Sequence, residues 1–206
     1  MPPDLDLFAY LAAFVTVVLA LGLTDMLRSL HRLVRDRDKV RWDLMALIAP
    51  AVVFQAILGE FFALWRLAGV ERFTYYQLLA LISSPIILSL AAMGVLPDTV
   101  PSRGLDLGDR YMAQRRVLFS LLAVWVLAVL LRWTGLFSLI PHATSISPDV
   151  TAWQIPVLLF LFALLAWSRQ RGVQVVGLIL MLIIMNSVMS REAVEIPRDR
   201  LSGKTP

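Results

Sequence analysis

The sequence predicts an all-α integral membrane protein, a bundle of six transmembrane helices joined by short loops. Three observations predict it. Hydrophobic residues make up 59% of the 206-residue chain and charged residues 17%, against about 45–50% and about 25% in a soluble domain. Six apolar stretches follow one another, each near the roughly 20 residues that cross a hydrocarbon core. Basic residues concentrate in alternate loops, as they do in polytopic membrane proteins.

The first span is expected at residues 8–27, interrupted only by Thr16, Thr24 and Asp25. The preceding Met1-Pro-Pro-Asp-Leu-Asp has no positive segment of the kind that opens a signal peptide, so this run is expected to stay as a span. Residues 29–40 extend it as a short amphipathic helix, with Leu30, Leu33 and Val34 on one side and Arg28, Arg32 and Arg35 on another. The second span is expected at 45–67, with Pro50 near its start, and the third at 75–96, with Pro85 inside it. Two prolines and two glycines make 97–108 a turn region. Asp109 is placed to cap the fourth helix, whose span is expected at 117–136. The loop 134–151 contains Pro141, Pro148 and an apolar stretch at 135–140 suited to the membrane surface. Spans five and six, at 152–168 and 172–190, are near the short limit. Residues 1–190 thus read as one transmembrane domain and 191–206 as a short polar tail. An odd number of spans either side of the 97–108 turn would suit an inverted repeat. The halves share no residue-level similarity, so an unrepeated bundle is expected.

Loop charge sets orientation. Arg28, Arg32, Arg35, Arg37, Lys39 and Arg41 follow span one; Arg103, Arg110, Arg115 and Arg116 follow span three; Arg169 and Arg171 follow span five. These twelve cations face seven on the opposite side, tail included, so both termini are expected outside the cytoplasm. Arginine outnumbers lysine 17 to 2 beside abundant Ala, Leu and Pro, which suggests a GC-rich bacterial genome and an inner-membrane location. Aromatic residues mark the two interfaces: Trp42, Tyr111 and Trp167 at the cytoplasmic rim, and Tyr10, Trp65, Tyr75, Tyr76, Trp133 and Trp153 at the outer rim. Trp125 alone falls in mid-span.

Composition excludes several chemistries. There is no cysteine, and the two histidines, His31 and His142, are far apart in the chain, so thiolate, triad and metal chemistry are not expected. His142 reads as a loop residue. No phosphate-binding loop is present: Ser202-Gly203-Lys204-Thr205 lacks the first glycine, the strand and the helix of that motif. No lysine in any span could hold a retinal-type chromophore. Neither an enzymatic activity nor a cofactor is expected, and the basic balance points to anionic headgroups rather than nucleic acid.

Glu60 is the most informative residue, since a carboxylate inside a span must avoid lipid. Gly59, Ala56 and Ala63 around it would admit a neighbouring helix. With a rise of ~1.5 Å per residue, Glu60, Arg132 and Asn186 all lie about 21–24 Å from the cytoplasmic ends of their helices. Gln55, Thr16, Ser83 and Ser84 lie nearer the midplane. Two readings of this layer are open: an ion or proton site on a watered path, or an interhelical ion pair of Glu60 with Arg132, bridged by Asn186. Arg132 snorkelling alone to the outer headgroups is a third. Pro85 removes a backbone donor, leaving the Leu81 carbonyl either to coordinate a cation or simply to mark a kink. Asp25 shares a helix face with Arg28 and Arg32 as a rim salt bridge or a gate charge. Arg28, Arg32, Arg35, Arg37 and Arg41 are expected to meet anionic headgroups, diluted by Asp36, Asp38 and Asp43.

Two functions fit. One is a small channel or secondary transporter for an ion or small solute, using the polar layer around Glu60. The alternative is a non-catalytic scaffold or accessory subunit of a larger membrane complex. Either way a homo-oligomer or a larger assembly in the bilayer is expected.

Overall fold

The computed structural model describes the backbone of residues 7–65, 75–137 and 148–190, with side chains for all of these except Leu7, Trp65, Gln77, 132–137, 148–153 and 188–190. Six α-helices lie within them: α1 (Leu7–Arg35), α2 (Leu44–Trp65), α3 (Tyr75–Val95), α4 (Leu107–Phe137), α5 (Pro148–Trp167) and α6 (Arg171–Ser190). Four stretches are long and apolar enough to cross a bilayer: Phe8–Arg35, Leu44–Leu64, Leu78–Val95 and Leu107–Leu131. The apolar parts described for α5 and α6, Gln154–Trp167 and Arg171–Ser187, are shorter. The protein is therefore all-helical apart from one detail that hydropathy does not reveal. Val40–Arg41 (β1) and Leu105–Asp106 (β2) form a two-residue parallel pair, Val40 opposite Leu105 and Arg41 opposite Asp106.

Several helices are longer than their apolar windows. α1 continues through the basic segment to Arg35, giving 29 residues, or about 44 Å at 1.5 Å per residue. Leu33 is buried and Arg35 exposed, so the amphipathic extension is a continuation of the same helix. A 3-10 turn at Arg37–Lys39 then ends it. α4 starts at Leu107, ten residues before the apolar run. Its cap is Asp106, not Asp109: Asp106 Oδ1 accepts from the backbone N–H groups of Gly108 (2.9 Å) and Asp109 (3.1 Å). A hydropathy window passes over a polar first turn; capping chemistry does not depend on apolarity. α5 begins at Pro148, a residue suited to a first helical position. Pro50, Pro85 and Pro156 lie inside continuous helices, so Pro85 does not break α3.

Contacts along the helices set their directions. Ser89 of α3 meets Val18 of α1, and Asp98 beyond α3 meets Ser29 of α1, so α1 and α3 run parallel. Phe119 stacks with Phe162, and Arg115 reaches Ser168, so α4 and α5 run antiparallel. Gln174 meets Ser168 and Gly177 faces Leu165, so α5 and α6 run antiparallel. The helices alternate up and down. Neighbours follow the closed order α1, α3, α4, α5, α6, α2, and α2 also packs across the ring on α3 and α4.

Two glycines allow close crossings. A Cβ on Gly22 would lie 2.6 Å from Ser89 Oγ and 2.8 Å from Ser89 Cα. One on Gly177 would lie 2.6 Å from Leu165 Cδ2. At the first crossing Ser89 Oγ donates to the Val18 carbonyl at 2.5 Å. The buried layer between helices is aliphatic and small, with Val53, Ala56, Leu88, Ala91 and Ala92 at its centre. Small residues let helix backbones approach where no hydrophobic gradient drives association.

Candidate functional site

Glu60 sits on α2 where that helix meets α3 and α4. It is 1% exposed. Ser84 Oγ of α3 donates to Glu60 Oε1 at 2.9 Å. The Trp125 indole Nε1 of α4 donates to Glu60 Oε2 at 3.3 Å. Each carboxylate oxygen is thus engaged by a different helix. Ala56, one turn earlier on α2, is buried, and Gly59 and Ala63 are half-buried, so the backbone beside Glu60 is accessible to its neighbours.

Of the residues nominated with Glu60, Ser84 is brought to it directly and Pro85 is buried next to Ser84. Ser83 is half-buried and turns to its own helix, donating to the Ala80 carbonyl at 3.2 Å. Gln55 is half-buried on α2. Asn186 is exposed, so it does not bridge the layer. The packed stripe of α6 is Gln174, Gly177, Leu178, Met181 and Met185, and Asn186 lies about 100° around the helix from Met185. Thr16 is likewise exposed on α1. The side chain of Arg132 lies outside the described residues, as do His142 and the tail. Trp125 is the member that depth arithmetic passed over; its position as the one mid-span Trp was the available signal.

A second buried polar cluster lies nearer the opposite end. Tyr111 Oη donates to Gln174 Oε1 at 2.6 Å. Gln174 Nε2 donates to the carbonyls of Leu165 (2.6 Å) and Ser168 (2.8 Å). Arg115 Nε donates to Ser168 O at 3.1 Å, and its Nη1 donates to the Met112 carbonyl. Gln174 Nε2 and Arg115 Nε satisfy carbonyls at the C-terminal end of α5, where a helix leaves them without partners. Tyr111 is therefore a core residue and not an interfacial anchor, and Arg115 is a capping cation as well as a loop charge. Gln174 was not singled out in the sequence; a Gln two residues inside an apolar run was the signal.

The three basic turns meet at one end of the molecule. Ser29 Oγ donates to Asp98 Oδ1 at 3.0 Å, and Arg32 Nη1 donates to the Asp98 carbonyl at 2.6 Å. Arg32 thus reaches across to the loop after α3 rather than along its own helix to Asp25. Asp43 Oδ1 accepts from the N–H of Met45 at 2.8 Å and caps α2. Arg171 lies 3.9 Å from Asp43 Oδ2 and 3.5 Å from Asp109 Oδ1. Arg41 lies 3.6 Å from Asp106 Oδ2, and Arg37 pairs with adjacent Asp38 at 3.9 Å. Arg28 and Arg35 are exposed. Gly104, with φ of +89°, allows the turn that brings β2 beside β1.

Among the described residues, no group of three or more His, Asp or Glu side chains is placed to hold a metal ion. What the arrangement around Glu60 does is fasten three helices through one carboxylate. No family model matches the chain, and comparison with curated proteins and with solved structures finds no match.

Proposed function

We propose that this protein is a six-crossing, non-catalytic subunit of a membrane assembly, held in one packing by the Glu60–Ser84–Trp125 lock. The observation that carries this reading is the burial of Glu60, with donors from two other helices on its two oxygens. A carboxylate that exchanged ions with water would need a wet approach; one that fastens helices needs a dry, bonded place. Six crossings are supported by the up–down alternation and by the meeting of all three basic turns at one end. Charge then favours that end as cytoplasmic, with both termini outside and the inner membrane of a bacterium as the location. The assembly partner is a second copy or another membrane protein.

A second reading, permeation of an ion or small solute along the Glu60 layer, is favoured by one observation. Ser84 immediately precedes Pro85, so one donor to Glu60 sits where the backbone of α3 lacks a hydrogen bond and can give. Flux of protons and alkali cations into liposomes holding the purified protein separates the two. The structural reading expects no flux from the native chain or from Glu60→Gln, with the variant less stable. Native flux that Glu60→Gln alters would establish permeation.

A further inference from the structure

A groove on the outer face of α4 is lined by Arg116, Val117, Ser120, Leu121 and Val124. Residues 116, 120 and 124 form one row and 117 and 121 the next, as i, i+4 spacing requires. Arg116, Val117, Ser120 and Val124 are exposed, and Leu121 is half-buried, packed on one side against the core. A cation therefore stands at one end, a hydroxyl lies one turn further in, and the rest of the groove is apolar over about 12 Å of helix.

Neighbouring residues indicate the depth. Arg115 bonds the carbonyl of Ser168, which follows Trp167 and precedes Arg169. Trp167 is 75% exposed at the end of α5, and Arg169 is exposed beside it. An exposed Trp followed by Arg at a helix end belongs at the headgroup level. Arg116 is at the same height, and the apolar groove leads from it toward the membrane centre.

We propose that this groove binds one membrane-resident anionic phospholipid. The Arg116 guanidinium and the Ser120 hydroxyl donate to its phosphate oxygens, and the upper part of an acyl chain lies along Val117, Leu121 and Val124. A zwitterionic lipid carries its own cation toward Arg116 and Arg169, which disfavours it. A free phosphate would leave the apolar floor unused. The inference rests on the bilayer placement of α4.

The test uses the full chain purified in mild detergent, with bound lipid read by native mass spectrometry. Phosphatidylglycerol and phosphatidylcholine of equal chain length are offered in competition. Phosphatidylglycerol is expected to be retained about five-fold over phosphatidylcholine, the factor for one basic side chain at an anionic surface. Arg116→Gln should bring the ratio close to one, and Arg116→Lys should restore most of it. Arg103→Gln, in the turn before α4, should leave it unchanged. Equal retention of the two lipids by the native chain, or a preference that survives Arg116→Gln, would overturn the site. So would displacement of phosphatidylglycerol by millimolar inorganic phosphate. Release of the chain from native membranes by alkaline carbonate would overturn the bilayer placement itself, a result separable from loss of lipid preference.

Discussion

Removing the indole N–H of Trp125 takes one donor from a carboxylate that has no bulk water to turn to. Trp125→Phe keeps most of the ring's packing and isolates that loss; Ser84→Ala does the same for the other oxygen. Each is expected to lower stability in detergent by about 0.6 kcal/mol, the average for interhelical hydrogen bonds in membranes, and by no more than about 1.7 kcal/mol, read as a fall in the thermal unfolding midpoint. In the Glu60→Gln background the Ser84→Ala loss should shrink, because the two residues are in contact. Additive losses in that cycle would mean that the bond carries no coupling. Glu60 was legible because a carboxylate in an apolar run must find partners; Ser84 was legible only as a polar residue beside Pro85, set nearer the midplane than the Glu60 layer. Asn186 and Thr16 were placed at suitable heights and yet face outward. A rise per residue gives height along a helix but not the direction a side chain faces once several helices compete for the same space.

The element scale is governed by close crossings and by helix ends. Gly22→Leu should separate α1 from α3, since even a methyl group there meets Ser89 below 3 Å. Ala is the milder test and should already lower the unfolding midpoint. At the C-terminus of α5, Gln174→Leu removes donors from two carbonyls and the acceptor of Tyr111 together. It should cost about 1–3 kcal/mol per buried group left unsatisfied, seen in thermal unfolding and in faster exchange of the α5–α6 turn. Asp106→Ala should cost about 1 kcal/mol as a lost N-cap, and Asp109→Ala much less. Helix existence was legible for all six elements because apolar length is a local property of the chain. The start of α4 was legible to within three residues, Asp109 being the expected cap and Asp106 the actual one, because the two acidic residues lie side by side in the same turn and only the fold decides which meets the free N–H groups.

Across the whole molecule, the three basic turns behave as one surface. The Arg171 pairs with Asp43 and Asp109 are partly or largely exposed, so Arg171→Gln should cost less than about 1 kcal/mol, and less again at high salt. The geometry matters more than that energy, because it brings the three turns to a common side. Single cysteines introduced at Arg35, Arg103 and Arg169 should react with a membrane-impermeant thiol reagent from one side of sealed vesicles. A cysteine at Tyr75 should react from the other. The native chain has no cysteine, so the labelling has no background. Reactivity of the three basic-turn positions from both sides would overturn the alternation across the membrane.

Composition and apolar length by themselves determined that the chain is helical and where its apolar helices fall, four of them in the described residues long and apolar enough to cross a membrane. They also marked one intramembrane carboxylate as exceptional. The physical reason is that a backbone leaving water must satisfy its own hydrogen bonds within each segment, so segment length and apolarity suffice. Only the tertiary structure decided that Trp125 and Ser84 meet Glu60, that Tyr111 and Gln174 hold the end of α5, and that Arg32 reaches Asp98. Those pairings depend on the rotation of each helix about its axis, which is set by the simultaneous packing of all six.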